Sequence, residues 1–152
     1  MDNLIKVAKD RAVAEIKVEE GYRLKPYYCS NRFPTIGYGT KIGPKDAPLD
    51  MYQFSMPEPA AHVMVVATVD SLCDELMAKL PWFKTAPNAL QMVLICMAYQ
   101  LGIAGVLGFR KALEHMEAKL YREAAKEMLD SKWFRVDSPA RAKRMSQIVA
   151  NL

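Results

Sequence analysis

The sequence predicts an α+β chain, with a helical N-terminus, one small antiparallel sheet close behind it, and helices from there onward. Three observations carry that expectation. Apolar residues recur at helical spacing over most of the 152 residues, a single cluster of aromatic and β-branched residues broken by glycines occupies 24–42, and no comparable cluster follows. A content of 51% hydrophobic and 25% charged residues is that of an ordinary globular protein, and the length suffices to bury most of its apolar surface as one domain.

The elements follow in order. Residues 3–19 place Leu4, Val7, Ala8, Ala12 and Ile16 on one helical face, Glu20 closes that helix, and Gly21 stands where helices stop. Between 24 and 42, Tyr27, Tyr28, Phe33, Thr35, Ile36 and Tyr38 alternate with turn residues, which reads as short antiparallel strands. Residues 44–54 read as a loop or one short helix. Ser55 and Glu58 form a capping-box pattern ahead of a long helix over 57–80, with Val63, Val66, Val69, Cys73, Leu76 and Leu80 expected on its buried stripe. Pro87 opens a nearly all-apolar helix through Leu101. Two amphipathic stretches, 109–115 and 120–129, precede a last helix with Ser138 as cap and Pro139 at its first position. The expected organisation is a single domain over 1–152. It has a β-containing lobe at about 12–60, a connecting helix at about 61–80, and a helical lobe made of 81–152 plus the N-terminal helix. A groove between two lobes favours a polymeric substrate.

The formal net charge of +4 is concentrated late, where Lys and Arg outnumber Asp and Glu between Arg110 and Arg144. Such a surface speeds encounter with any anionic polymer. No Gly, Arg and aromatic pattern of a nucleic-acid reader accompanies it, so no nucleic-acid partner is expected. Cys29, Cys73 and Cys96 are an odd number without metal-ligand spacing, and only His62 and His115 could add imidazoles, so neither a disulfide framework nor a metal site is indicated. Cys73 and Cys96 sit in apolar helical patterns and read as core. The charged N-terminus lacks the apolar stretch of a signal peptide. The longest uncharged run, 92–109, contains Gln100, Gly102, Gly105 and Gly108, which fits a buried helix and a turn better than a membrane span.

One segment carries chemistry. From Glu20 the chain reads Glu20-Gly21-Tyr22-Arg23-Leu24-Lys25-Pro26-Tyr27 and, beyond a turn, Thr35-Ile36-Gly37-Tyr38-Gly39. Two further blocks follow at a distance: Tyr99-Gln100-Leu101-Gly102 with Gly105-Val106-Leu107-Gly108-Phe109, and Ser131-Lys132-Trp133-Phe134 with Ser138-Pro139-Ala140-Arg141-Ala142-Lys143-Arg144. Together, in this order, they resemble the phage-type lysozymes. The resemblance covers both ends of the chain, while residues 44–88 match mainly in helical pattern. It implies a lysozyme-like fold and cleavage of the β-1,4 bond between N-acetylmuramic acid and N-acetylglucosamine in bacterial peptidoglycan, without metal or organic cofactor.

Glycoside cleavage needs an acid for the leaving oxygen and a second group that attacks the sugar or handles water. The resemblance assigns the acid to Glu20, and a desolvated place at a helix end would keep its proton near neutral pH. The family's next catalytic position is an Asp. Here Cys29 stands in that place, nine residues after Glu20 and six before Thr35. A thiol with an ordinary pKa near about 8.5 is a poor base at neutral pH, so Cys29 is read as a nucleophile or a water-steering thiolate if its pKa is lowered, and otherwise as a packing residue. Thr35 is expected to hold water, Gly39 to let the saccharide approach the backbone, Tyr99 and Gln100 to line the substrate site, and Arg141 to stand near the acid. Trp133 reads as core. Thr40 replaces the family's usual His, whose pairing is therefore missing. The expected protein is a monomeric endolysin without stable membrane insertion, held in the host cytoplasm until it reaches the wall. A lytic transglycosylase using Glu20 alone, and a non-catalytic wall-binding or virion protein, are the alternatives.

Overall fold

The structure, a computed structural model, describes residues 2–152. Helix α1 (Asp2–Glu20) leads into strands β1 (Arg23–Tyr28), β2 (Pro34–Gly37) and β3 (Thr40–Lys41), and a 3-10 turn occupies Leu49–Met51. Helix α2 (Glu58–Lys79), a second 3-10 turn (Pro81–Thr85), α3 (Asn88–Leu107), α4 (Arg110–Glu117), α5 (Tyr121–Leu129), a π-helical turn (Trp133–Asp137) and α6 (Pro139–Ala150) complete the chain. The α+β class and each long helix expected from periodicity are present. Two compact units emerge, Val13–Ser71 carrying the sheet and Met1–Ala12 with Leu72–Leu152 carrying the remaining helices. Both junctions fall inside a helix, one in α1 and one in α2.

In the sheet unit the strands run in the order β1-β2-β3, all antiparallel, with Tyr27 opposite Thr35, Tyr28 opposite Pro34 and Ile36 opposite Thr40. A register irregularity between Arg23 and Tyr27 bends β1. Burial of Ile16, Ile36, Tyr38, Ala61, Val65 and Val69 makes this unit's core. The buried stripe of α2 therefore starts at Ala61 and Val65, correcting the expected phase, for Val63 is 64% and Val66 36% exposed. Close packing sets that phase: a methyl group placed on Gly37 would lie 3.1 Å from the Ala61 side chain, so only a small residue fits where α2 meets β2. The capping box is also corrected. Helix α2 begins at Glu58 itself, and the Glu58 carboxylate accepts a hydrogen bond from Tyr38 (2.9 Å) instead of reaching back to Ser55.

In the helical unit the side chains from Leu90 to Ala98 are buried, so the one described helix long and apolar enough to cross a membrane, α3, has its apolar stretch enclosed by protein. The helix breaks at Gly102 (φ 76°, ψ 164°), immediately after its expected end at Leu101, and a further short helical segment reaches Leu107. Helix α6 packs on α3, α5 and the π-helical turn. Ser138 occupies the cap position of α6, yet its hydroxyl makes no capping bond and accepts from the Gln100 amide instead (2.7 Å). Cys73 and Cys96 are buried in the core, as expected.

Candidate active site

Four of the singled-out residues lie in the sheet unit: Glu20, Cys29, Thr35 and Gly39. Gly21 adopts φ 67° and donates its N–H to the Lys17 carbonyl (3.1 Å), which stops α1 and leaves Glu20 as its last residue. The Glu20 side chain is partly buried and lies directly over Gly39. A methyl group on Gly39 would come within 2.7 Å of Glu20 Oε2, and Gly39 itself has φ 74°. Gly39 thus has two reasons to be glycine, a left-handed backbone and the seat of a carboxyl group.

Cys29 follows the first strand at a tight hairpin, where its N–H donates to the Phe33 carbonyl (3.1 Å) and its carbonyl accepts from Arg32 N–H (2.9 Å). Tyr27 and Cys29 are two residues apart, and Tyr27 faces Thr35 across the ladder. By strand alternation these side chains share one face of the sheet. Thr35 is buried and its hydroxyl donates to the Phe33 carbonyl (2.8 Å). Burial pushes the Cys29 thiol up, but backbone N–H groups of Phe33 and Asn31, the Thr35 hydroxyl and the Lys41 ammonium outweigh it, and the thiol is held below its ordinary value of 9.0.

Two residues of this face were not singled out for chemistry in the sequence. Tyr27 is half-buried with the Arg23 guanidinium 4.4 Å from its ring centre. Burial first, then the Glu20 carboxylate and the Cys29 sulfur, raise its phenol above the ordinary range, against the pull of Arg23. Lys41 lies 4.3 Å from the Phe33 ring centre and supplies the positive charge felt by Cys29. The only signal for it in the sequence is its place two residues past Gly39, at the edge of the sheet.

The other three site residues belong to the helical unit. Tyr99 and Gln100 are on α3 and Arg141 is in the first turn of α6, all partly buried. The Gln100 amide is engaged at both ends, accepting from Trp133 Nε1 (2.9 Å) and donating to Ser138 Oγ (2.7 Å). Trp133, buried and edge-on to Phe109 at 5.9 Å, is core. A cavity of about 620 Å³ in this unit runs along Phe109 and Trp133 with Arg110, Lys111, Lys132 and Asp130 at its walls. Among the described residues no three His, Cys, Asp or Glu side chains gather as metal ligands.

Comparison with known proteins identifies the family. Residues 17–147, which include Glu20, the hairpin, Tyr99, Gln100 and Arg141, match the family model described as phage lysozyme. The chain is 26% identical over 160 residues to the probable T4-type lysozyme 1 of Dictyostelium discoideum, covering 88% of this chain and 90% of that one. It is 29% identical over 156 residues to the pre-baseplate central spike protein Gp5 of Enterobacteria phage T4, covering 88% of this chain but 26% of the spike protein, so it spans about a quarter of that relative. With the family match covering most of its length and the small-sheet, many-helix architecture in place, the chain belongs to the phage lysozyme family.

Proposed function

We propose that the chain is a muramidase that hydrolyses the β-1,4 bond between N-acetylmuramic acid and N-acetylglucosamine in bacterial peptidoglycan. The observation that carries this reading is the lodging of the Glu20 carboxyl on Gly39, in the same small unit as the hairpin that carries Cys29 and Thr35. In this reading Glu20 protonates the glycosidic oxygen as the bond to the anomeric carbon breaks. Water attacks that carbon, Cys29 as thiolate takes its proton, and Thr35 orients it. The cycle closes when the proton on sulfur returns to Glu20 through solvent. Tyr99 and Gln100 are proposed substrate contacts and Arg141 a charge supporting the acid.

Lysis of permeabilised bacteria by the purified chain tests the proposal. Glu20→Gln is expected to cut the rate by about 10²- to 10⁴-fold, and full activity in that variant would remove Glu20 as the acid. Cys29→Ala separates the roles of the hairpin: a comparable loss supports a thiolate that handles water or attacks sugar, and undiminished turnover excludes both. Because the carboxylate usual in this family is replaced by Cys29, a lytic transglycosylase is the second reading. Its anhydro product is lighter by one water and is recognised by mass.

The biological setting we propose is an endolysin that stays in the host cytoplasm until the membrane is breached. The similarity to a spike protein favours a virion-borne enzyme as the competing setting. Fractionating infected cells separates the two: recovery in the soluble lysate and not in purified particles is the result expected of the first, and recovery in the particles would overturn it.

A further inference from the structure

The acid of the proposed mechanism rests on two supports, the last turn of α1 and the turn holding Gly39. A third element touches both. Glu58, the first residue of α2, accepts a hydrogen bond from the Tyr38 hydroxyl (2.9 Å), and the same oxygen, Oε1, lies 3.1 Å from Lys17 Nζ. Lys17 stands one turn before Glu20, and its carbonyl takes the N–H of Gly21 that ends the helix. Tyr38 immediately precedes Gly39, the residue under the Glu20 carboxyl. One carboxylate oxygen therefore ties together the two segments between which Glu20 is placed.

The ammonium of Lys17 is fixed from a second side. It lies 3.2 Å from His62 Nδ1, one turn further along α2, and 5.2 Å from the centre of the Tyr38 ring. The Tyr38 ring in turn packs against Tyr22 at 5.6 Å, whose hydroxyl donates to the Met56 carbonyl (2.8 Å). Every member belongs to the sheet unit. A carboxylate at a helix C-terminus opposes the helix dipole, so the dipole of α1 does not help to hold Glu20 in place.

We propose that Glu58 is a positioning residue for Glu20, clamping Lys17 and Tyr38 so that the acid stays over Gly39 at the angle needed for proton transfer. The proposal rests on the reading of Glu20 as general acid. Glu58 needs no contact with substrate, and its effect belongs to the chemical step. Displacing a catalytic group by a fraction of its own length is costly there, while sugar binding is untouched.

Two measurements test it. On solubilised peptidoglycan, Glu58→Ala is expected to lower kcat by about 10- to 100-fold with KM changed less than about twofold. Glu58→Gln, whose amide oxygen still accepts from Tyr38, should recover part of the loss. Independently of turnover, the Gly39 proton shifts followed by NMR should titrate with the Glu20 carboxyl in the unaltered chain and not in Glu20→Gln. Glu58→Ala should remove most of that amplitude. Tyr38→Phe, which deletes one hydroxyl and leaves the carboxylate in place, gives the same readouts should Glu58→Ala fold poorly. A rise in KM at constant kcat, or a Gly39 titration in the folded variant equal to that of the unaltered chain, overturns the proposal. A chain without turnover but with the expected Gly39 titration would reject the muramidase reading and leave the clamp standing.

Discussion

Gly39 and Gly102 both have positive φ, 74° and 76°, and differ in what surrounds them. A methyl group on Gly102 meets nothing within 4 Å, so Gly102→Ala is charged only for the backbone, about 1–3 kcal/mol. On Gly39 it would strike Glu20 Oε2 at 2.7 Å and the carboxyl carbon at 3.0 Å. Gly39→Ala is therefore expected to show a similar loss of stability and, beyond it, at least a tenfold (about 1.4 kcal/mol) loss of lytic rate, because the acid must move. Denaturant melts and lysis rates of both variants check this, and equal rate losses in the two would refute a special place for Gly39. The sequence pointed to Gly39 as a place where the backbone can come close to a saccharide. The structure adds Glu20 as a neighbour, and this depends on where the end of α1 lands, which no local pattern reveals.

Between elements, the Lys17 to Glu58 contact joins α1 to α2, with Tyr38 of the sheet as third partner. Lys17 first and then Tyr38 hold the Glu58 carboxyl below its ordinary value of 4.5, and Glu58 holds Lys17 above 10.5. The signs differ. The Glu58 contribution is present above its unfolded value and is lost as pH falls through the depressed folded value. The Lys17 contribution is complete below 10.5 and is lost as pH rises through the raised folded value. Stability should have a plateau between these limits. Glu58→Gln is expected to lower the melting temperature on that plateau, modestly because both side chains are partly open to solvent, and the difference should vanish in acid. Calorimetry over the acid range measures it, and a difference that persists at the lowest pH would refute the ion pair as its source. The same contact explains what periodicity could not read. Six helices were legible because apolar residues recur with their period, but α2 offers valines at 63, 65, 66 and 69, which admit two stripes, and only Gly37 against Ala61 selects one. Glu58 has the spacing of a capping box, yet two distant partners in the chain claim it. The residues forming Glu20's surroundings were visible as a motif, whereas the roles of Tyr27 and Lys41 emerge only from strand register.

For the whole molecule, the formal net charge of +4 acts at a longer range than any of these contacts. Arg110, Lys111, Lys132 and Arg135 line one cavity of the helical unit, where Glu127, Asp130 and Asp137 only partly offset them. Peptidoglycan is an extended polymer with carboxylates on its stem peptides, so on the proposed function the field should raise the rate of encounter with the wall without changing the chemical step. Salt separates the two. Raising ionic strength from about 0.01 to 0.15 M shortens the screening length from roughly 30 to 8 Å. Over that interval kcat/KM on intact walls is expected to fall several-fold, while cleavage of an uncharged N-acetylglucosamine oligomer stays constant, since a neutral sugar is not steered. Reversing the charge of Arg110 and Lys132 to Glu should flatten the salt dependence on walls and leave the oligomer rate unaltered. Equal salt dependence for both substrates would mean that ionic strength acts on the enzyme itself, and the late basic surface would then be only a solvated face.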